Sequence, residues 1–160
     1  MNHRIIWIPV SCLLVMISLP PRAQHTYIFD HLTVNDGLTQ NTINEIYKDR
    51  KGFIWVGTND GLNRYDGYQF QHYHYSYDDT GSVSNNRIYE ICEDAKGDLW
   101  VATRGGLNRY DREHDRFDRY TTRSVPGKSL KHNFVRALYN DHRGNLWIGT
   151  LGGGLHVIPA

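Results

Sequence analysis

The chain has 160 residues, of which 18 are basic and 17 acidic, and its formal net charge is +1. This balance gives no electrostatic reason to expect binding of nucleic acid or of an anionic membrane surface. Eleven Tyr, four Trp and fifteen Gly, in a chain long enough for one domain, favour aromatic and turn-rich β-structure over helix.

The first 23 residues have the order of a secretory signal peptide. His3 and Arg4 precede an apolar run at 5–19, and the small residue Ala23 stands at the expected cleavage site. The run is shorter than the roughly 20 apolar residues that span a bilayer. We therefore predict export, with a retained N-terminal anchor as the alternative.

The chain has two cysteines, Cys12 and Cys92. Cleavage of the signal peptide would remove Cys12, so no intramolecular disulfide is expected. We interpret Cys92 as a core thiol rather than a nucleophile, because free cysteine usually behaves as a small buried apolar residue.

After the signal peptide, the sequence repeats with steps of 45 and 47 residues. The string KGFIWVGTNDGLNRYD at 51–66 returns as KGDLWVATRGGLNRYD at 96–111 and, more loosely, from residue 143. The structural positions that recur in all three copies are Trp55, Trp100 and Trp147, Asp49, Asp94 and Asp141, and Gly52, Gly97 and Gly144. A period of about 40–50 residues is typical of four-stranded propeller blades.

Each copy reads as short strands joined by hairpins. In the first copy, 42–49 alternates in polarity, Gly52 occupies a tight turn, and 53–58 is a continuous apolar run. Two further short strands follow at 62–66 and 70–75. A single meander of this length cannot bury both faces, so we expect the blades to stack, with the repeated Trp between them.

We therefore predict an all-β chain that forms a partial β-propeller of about three four-stranded blades, the third incomplete. The predicted boundaries are 1–23 for the signal peptide, 24–41 for a lead-in strand and loop, 42–86 for blade 1, 87–133 for blade 2 and 134–160 for the incomplete blade 3. Three blades cannot close a ring and leave an exposed edge. The expected partner at that edge is the remainder of a propeller or a second copy of the chain, and we expect the chain to be a fragment of a longer protein.

The stretch VNDGLTQNTINEIYKDRKGFIWVGTNDGLNRYDGYQF at 34–70 resembles the two-component regulator propeller repeats of Bacteroidetes hybrid two-component systems. All three copies match the motif, so the resemblance covers 26–160. It implies a periplasmic sensor that forms part of a seven-bladed propeller, responds to oligosaccharides, and has neither catalytic activity nor a cofactor of its own. In the family a membrane span and a histidine kinase lie downstream, so membrane contact is implied only through that part.

A ligand site is expected where the copies differ, on the face shared by the lead-in loops and the turns after the second strands. The candidate ligand-binding residues are Asn59, Asp60, Arg87, Arg104, His132 and Arg136, with Gln40, Asn85 and Lys131 beside them. Such side chains hydrogen-bond sugar hydroxyls, and aromatic rings stack on pyranose faces. Ordinary solvated loops are the alternative.

Other motifs give weaker indications. The sequence places His72 and His74 on one face of an outer strand, which we expect to be solvated. A metal site requires a third fixed ligand, which this pair lacks, so no metal is predicted. The glycine-rich TRGGLN and TLGGGL join strand to strand and lack the helix N-terminus of a phosphate-binding loop. Because fold does not decide function, a propeller-scaffold enzyme (a lyase or glycan hydrolase) or a protein-binding fragment remains the alternative.

Overall fold

The computed structural model describes residues 27–125, 127 and 129–160, so the predicted signal peptide lies outside the described residues. Residues 31–160 form one compact unit, and the described part of the unit before it, 27–30, contains no helix or strand. Within the described ranges, no helix is long and apolar enough to cross a membrane.

Eleven strands form three antiparallel sheets, each running as a meander, and we call these sheets blades 1, 2 and 3. Blade 1 consists of β1 (Ile43–Lys48), β2 (Ile54–Thr58), β3 (Leu62–Tyr65) and β4 (Phe70–Tyr73). Blade 2 consists of β5 (Ile88–Glu93), β6 (Leu99–Thr103), β7 (Leu107–Asp111) and β8 (Arg116–Tyr120). Blade 3 consists of β9 (Val135–Asn140), β10 (Leu146–Thr150) and β11 (Gly154–Ile158). The prediction of an all-β partial propeller with an incomplete third blade is confirmed.

The lead-in segment differs from the prediction of a strand and loop, because no strand lies in its described part, 27–41. A 3-10 turn at Val34–Asp36 takes its place. The carboxylate of Asp36 accepts hydrogen bonds from the backbone N–H of Thr33 at 2.8 Å and from its hydroxyl at 2.9 Å. In return, Oγ1 of Thr33 accepts the backbone N–H of Asn35 at 3.1 Å. This reciprocal capping fixes the turn locally, whereas a strand needs a partner strand to form.

One aspartate in each blade holds both the first hairpin turn and the repeated tryptophan. In blade 1, Oδ1 of Asp49 accepts the backbone N–H groups of Lys51 and Phe53, each at 3.0 Å. Its Oδ2 accepts the indole N–H of Trp55 at 3.0 Å. The same indole bond joins Trp100 to Asp94 at 2.8 Å and Trp147 to Asp141 at 2.9 Å. The repeated motif is therefore one hydrogen-bonded unit.

The tryptophans fill the spaces between blades. Trp55 is fully buried, with its ring centroid 5.7 Å from that of Tyr73 in its own blade and 5.0 Å from that of Tyr110 in blade 2. Trp100 lies in a second cluster with residues of blade 3 that include Val135 and Ile148. Trp147 is only partly buried, and no other blade among the described residues packs on its face.

The fourth strands are less solvated than the sequence suggests. Tyr73 of β4 is 8% exposed and Phe117 of β8 is 2% exposed, and both belong to the cluster around Trp55. Alternate side chains of a strand point to opposite faces of its sheet, and here the face is covered by the neighbouring blade. The expectation of solvated outer strands was wrong at these positions.

A buried ionic network joins blades 1 and 2. The guanidinium of Arg112 lies 2.8 Å from the carboxylate of Asp49 and 2.7 Å from that of Glu93. Glu93 also accepts the backbone N–H of Arg50 at 3.1 Å. A buried carboxylate requires such partners. Glu93 pairs with Leu99 of the second strand in blade 2, and Asn140 pairs with the equivalent Leu146 in blade 3. Oδ1 of Asn140 is buried and has no hydrogen-bond partner among the described residues.

Replacing Trp100 by alanine should destabilise the fold by roughly 3–5 kcal/mol, because the ring, 5% exposed, is lost from the boundary of blades 2 and 3. Urea unfolding followed by circular dichroism measures this. The control is Tyr68→Ala, whose ring is 95% exposed in a turn of blade 1 and should be near neutral. A change of a few tenths of a kcal/mol for Trp100→Ala would contradict the packing described here.

Stability should decline in acid. Burial tends to raise the pKa of Asp49, but the hydrogen bonds from Trp55, Arg112 and Phe53 outweigh it, and the net pKa is lowered. A carboxylate with a lowered folded pKa stabilises fully above its unfolded pKa of about 3.9 and loses that contribution as the pH falls further. Chemical unfolding measured between neutral pH and strong acid should therefore show a steep decrease in the free energy of unfolding below about pH 4.

The variant Asp49→Asn should be destabilised by about 1.5–3 kcal/mol at neutral pH, because Arg112 loses one of its two buried carboxylate partners and keeps only Glu93. Its stability should also depend less on pH in the acid range. Asp78→Asn, at an exposed position in the loop after blade 1, is the control. Equal acid sensitivity of Asp49→Asn and the parent chain would count against this role of Asp49.

Candidate ligand-binding face

The loops that lead into β1, β5 and β9 lie beside the turns that follow β2, β6 and β10. Backbone hydrogen bonds connect these segments at three points: Gly61 to Asn86 (2.7 Å), Arg104 to Arg87 (3.3 Å) and Leu151 to Phe134 (2.9 Å). We call the surface that they form the upper face. The sequence predicts the ligand site on this face.

The upper face is fixed from below by buried polar side chains. Asn63 of β3 accepts the backbone N–H of Thr39 at 3.0 Å and donates to the carbonyl of Val56 at 3.1 Å. The hydroxyls of Thr39 and Thr58 are 3.0 Å apart. In blade 2, Asn108 and Thr103 make the equivalent bonds to Ser84. The loops are thus held in place by the core and do not depend on a ligand for their shape.

At the boundary of blades 1 and 2, the upper face carries a network of amides and charges. Oδ1 of Asn59 accepts from Nε of Arg87 at 3.0 Å and from the amide of Asn44 at 3.0 Å. The carboxylate of Asp60 accepts from the amide of Asn86 at 3.2 Å. Three of the predicted residues, Asn59, Asp60 and Arg87, therefore lie in one cluster.

At the boundary of blades 2 and 3, two arginines surround an aromatic pair. The ring centroids of Tyr89 and Phe134 are 4.8 Å apart. The guanidinium carbon of Arg136 lies 4.8 Å from the centroid of Tyr89, and that of Arg87 lies 5.6 Å from it. At these distances the cations are attracted to the ring. Arg87 therefore belongs to both clusters and links them.

The other predicted residues are placed differently. Nδ1 of His132 accepts the backbone N–H of Phe134 at 3.1 Å, so this ring shapes its own loop. Arg104 is exposed and contributes its backbone N–H to the loop contact described above. The backbone N–H of Lys131 donates a hydrogen bond to Nε2 of His156 at 3.4 Å.

Gln40 and Asn85 also stabilise loops. Oε1 of Gln40 accepts the backbone N–H of Asn59 at 3.2 Å, and Oδ1 of Asn85 accepts that of Arg87 at 3.0 Å. Both side chains use a hydrogen-bonding atom internally. They position the backbone of Asn59 and of Arg87, and they are weaker candidates for ligand contact than Asn59 and Arg87 themselves.

Two glutamates on the first strands adjoin the network. Burial raises the pKa of Glu90, the nearby charge of Glu45 raises it further, and Arg136 opposes the shift. Burial also raises the pKa of Glu45, against a hydrogen bond from the backbone of Ile46. The face therefore combines guanidinium and amide donors with carboxyl and amide acceptors around an aromatic pair. That set of groups suits a ligand rich in hydroxyls.

The described residues give no support to a metal site at His72 and His74 or to a nucleophilic role of Cys92. Within the described ranges, no three His, Cys, Asp or Glu side chains are grouped closely enough to hold a metal ion. His74 lies beyond the end of β4 rather than on it, and Nε2 of His72 contacts the carbonyl of Gly37 at 2.5 Å. Cys92 is partly buried against the cluster around Trp100, and burial raises the pKa of its thiol to about 12.

Sequence reasoning missed Asn44, Tyr89 and Phe134. Asn44, Tyr89 and Arg136 occupy the second residue of the first strand in blades 1, 2 and 3, and the residue type differs in each. A search for non-repeated residues along the first strands, rather than only in the loops, would have found Asn44 and Tyr89.

Comparison with known proteins agrees with this architecture. The family model described as two component regulator propeller matches residues 37–60, 82–105 and 129–152, once in each blade with its lead-in loop. Over 69 residues, 42% of this chain and 5% of the relative, the chain is 40% identical to histidine kinase P4 of Formosa agariphila.

Two solved structures from B. thetaiotaomicron are similar in fold and sequence. The extracellular domain of the hybrid two component system BT3049 superposes with a TM-score of 0.73 at 29% identity, covering 81% of this chain and 18% of that chain. The extracellular domain of the hybrid two component system BT4673 gives 0.67 at 31% identity, covering 84% and 19%. The chain thus spans less than a fifth of the length of these relatives. Each of its three blades carries one match to the two component regulator propeller repeat.

Proposed function

We propose that this chain is an extracytoplasmic, non-catalytic segment of a two-component sensor and that its upper face binds an oligosaccharide. The placement outside the cytoplasm is supported by the similar solved domains, which are extracellular. Ligand binding rests on one observation, the cluster of Arg87, Tyr89, Phe134 and Arg136. This cluster breaks the repeat symmetry on a face that the core holds rigid.

The chemistry of the cluster favours an acidic sugar. Arg87 and Arg136 present guanidinium groups that can form paired hydrogen bonds with a carboxylate or sulfate. Asp60 supplies carboxylate acceptors for hydroxyl groups a short distance away in the same network, and Asn59 orients Arg87. The rigid loops mean that little conformational entropy is lost on binding. In a signalling protein, such binding would shift an equilibrium between two arrangements of the sensor.

The test is titration calorimetry of the chain with a panel of neutral and uronic acid oligosaccharides. A uronic acid oligosaccharide should bind, and Arg136→Ala should weaken that binding about 10-fold or more, because a charge-assisted hydrogen bond is lost. Lys51→Ala removes a cation at an exposed turn away from the upper face and is the matched control.

Two results would count against the proposal. One is the absence of binding to every member of the panel at millimolar concentration. The other is binding that Arg136→Ala and Lys51→Ala affect equally, which would place the ligand elsewhere. Breakdown of an oligosaccharide during the titration would favour the enzyme alternative instead.

A further inference from the structure

Each blade has a β-bulge at the same place in its first strand. In blade 1, the residues on either side of Asn44 pair with Thr58 and Gly57, which are neighbours in β2, so Asn44 is an extra residue. Tyr89 of blade 2 and Arg136 of blade 3 are extra residues in the same way. A bulge bends its strand and re-aims a side chain, and bulges are frequent next to active sites. One backbone device therefore occurs three times beside the upper face, each time with a different side chain.

Packing between the blades fixes the backbone at these bulges. A Cβ atom on Gly57 would lie 2.7 Å from Cγ2 of Ile88, the residue before the bulge of blade 2. Glycine allows this close approach because it has no Cβ. Gly57 is buried, and so is Ala102, which takes its place in blade 2. The backbone of the bulge is therefore held by the neighbouring blade and not by a ligand.

The bulge residues are connected across the blades. Nδ2 of Asn44 donates to the carbonyl of Ile88 at 2.8 Å and to Oδ1 of Asn59 at 3.0 Å. The ring centroid of Tyr89 lies 4.8 Å from the guanidinium carbon of Arg136. The three bulges thus form a continuous row from blade 1 through blade 2 to blade 3.

This row has a chemical direction. Both N–H groups of the Asn44 side chain are used within the protein, so the atom that it can offer a ligand is its carbonyl oxygen, an acceptor. At the other end, Arg136 is exposed, and its guanidinium has only donors. Between them, the ring of Tyr89 attracts the guanidinium groups of Arg87 and Arg136. Hydroxyl groups of a ligand suit the acceptor end, whereas a carboxylate suits the donor end.

The residue after each bulge shows a matching pattern of charge. It is Glu45 in blade 1 and Glu90 in blade 2, but Ala137 in blade 3. Carboxylates beside the first two bulges repel a ligand anion, because like charges disfavour each other at short range. Blade 3 thus combines a cation at its bulge with an uncharged residue beside it.

We propose that the three bulge residues fix the direction in which an oligosaccharide lies on the upper face, an inference that rests on the function proposed above. The sugar unit with a carboxylate lies at Arg136 of blade 3, and uncharged units extend over blade 2 toward Asn44 of blade 1. The ligand is therefore an oligosaccharide with an acidic unit at one end and neutral units after it. A polyuronate would place a carboxylate beside Glu45 and bind less tightly.

The test is titration calorimetry with three trisaccharides. Aldotriouronic acid carries one uronic acid at its non-reducing end, trigalacturonic acid carries one on every unit, and xylotriose carries none. The parent chain should bind aldotriouronic acid about 10-fold more tightly than the other two, because it alone pairs with Arg136 without a second carboxylate near Glu45. Arg136→Asn should remove this preference, whereas Lys51→Ala should keep it.

An exchange of two residue pairs tests the direction itself. The variant with Asn44→Arg, Glu45→Ala, Arg136→Asn and Ala137→Glu moves the donor end of the row to blade 1 and keeps the composition and net charge of the chain. A nitroxide at the reducing end of aldotriouronic acid should broaden the amide signals of the turn after β2 in the parent chain. In the variant, it should broaden those of the turn after β10 instead. Circular dichroism verifies that the variant is folded.

The outcomes separate this inference from the proposed function. If trigalacturonic acid binds most tightly, if Arg136→Asn keeps the preference, or if the broadened signals are the same in the parent chain and the exchange variant, the direction is wrong and binding to the upper face stands. If none of the three trisaccharides binds, the inference is overturned, and the larger panel described above decides the proposed function separately.

Discussion

The structure depends on a carboxylate that holds an indole ring and a turn at once. Asp49 fixes the hairpin through Lys51 and Phe53 with one oxygen and orients Trp55 with the other. The indole could otherwise be buried only with an unpaired N–H group, which is unfavourable. The groups that set its orientation all belong to its own hairpin and not to the next blade. This local origin explains why the same residues can be used three times at different positions in the chain.

The sequence allowed the blades to be predicted well because their determinants are local. The spacing of Asp49, Gly52 and Trp55 belongs to a single hairpin, and copies of it at fixed steps indicate stacked sheets without knowledge of any contact between them. The face that carries the ligand candidates also followed from the alternation of strand and turn. Arg87, Asn59 and Asp60 do lie together there.

Other features could not be predicted because they join residues far apart in the chain. Tyr89 and Phe134 meet through the packing of blades 2 and 3, and neither stands out within its own copy of the repeat. The buried positions of Tyr73 and Phe117 likewise reflect the neighbouring blade and not the hydropathy of their strands. His132 was selected for its chemistry, but its ring nitrogen is used by its own loop. The described part of the lead-in segment, 27–41, shows the same limit, since a strand there requires an edge to pair with.

The unequal joints between the blades have a consequence for how the chain comes apart. Blades 1 and 2 share the buried network of Arg112, Asp49 and Glu93, whereas Asn140 stands at the matching position of blade 3 with a buried oxygen that no described residue satisfies. In an array of repeats, stability is a sum of the units and of the interfaces between neighbours. Amide protons of blade 3 should therefore exchange with solvent through partial openings that leave the first two blades intact. Blades 1 and 2 thus form a cooperative pair, and the third behaves as a more loosely coupled unit at their side.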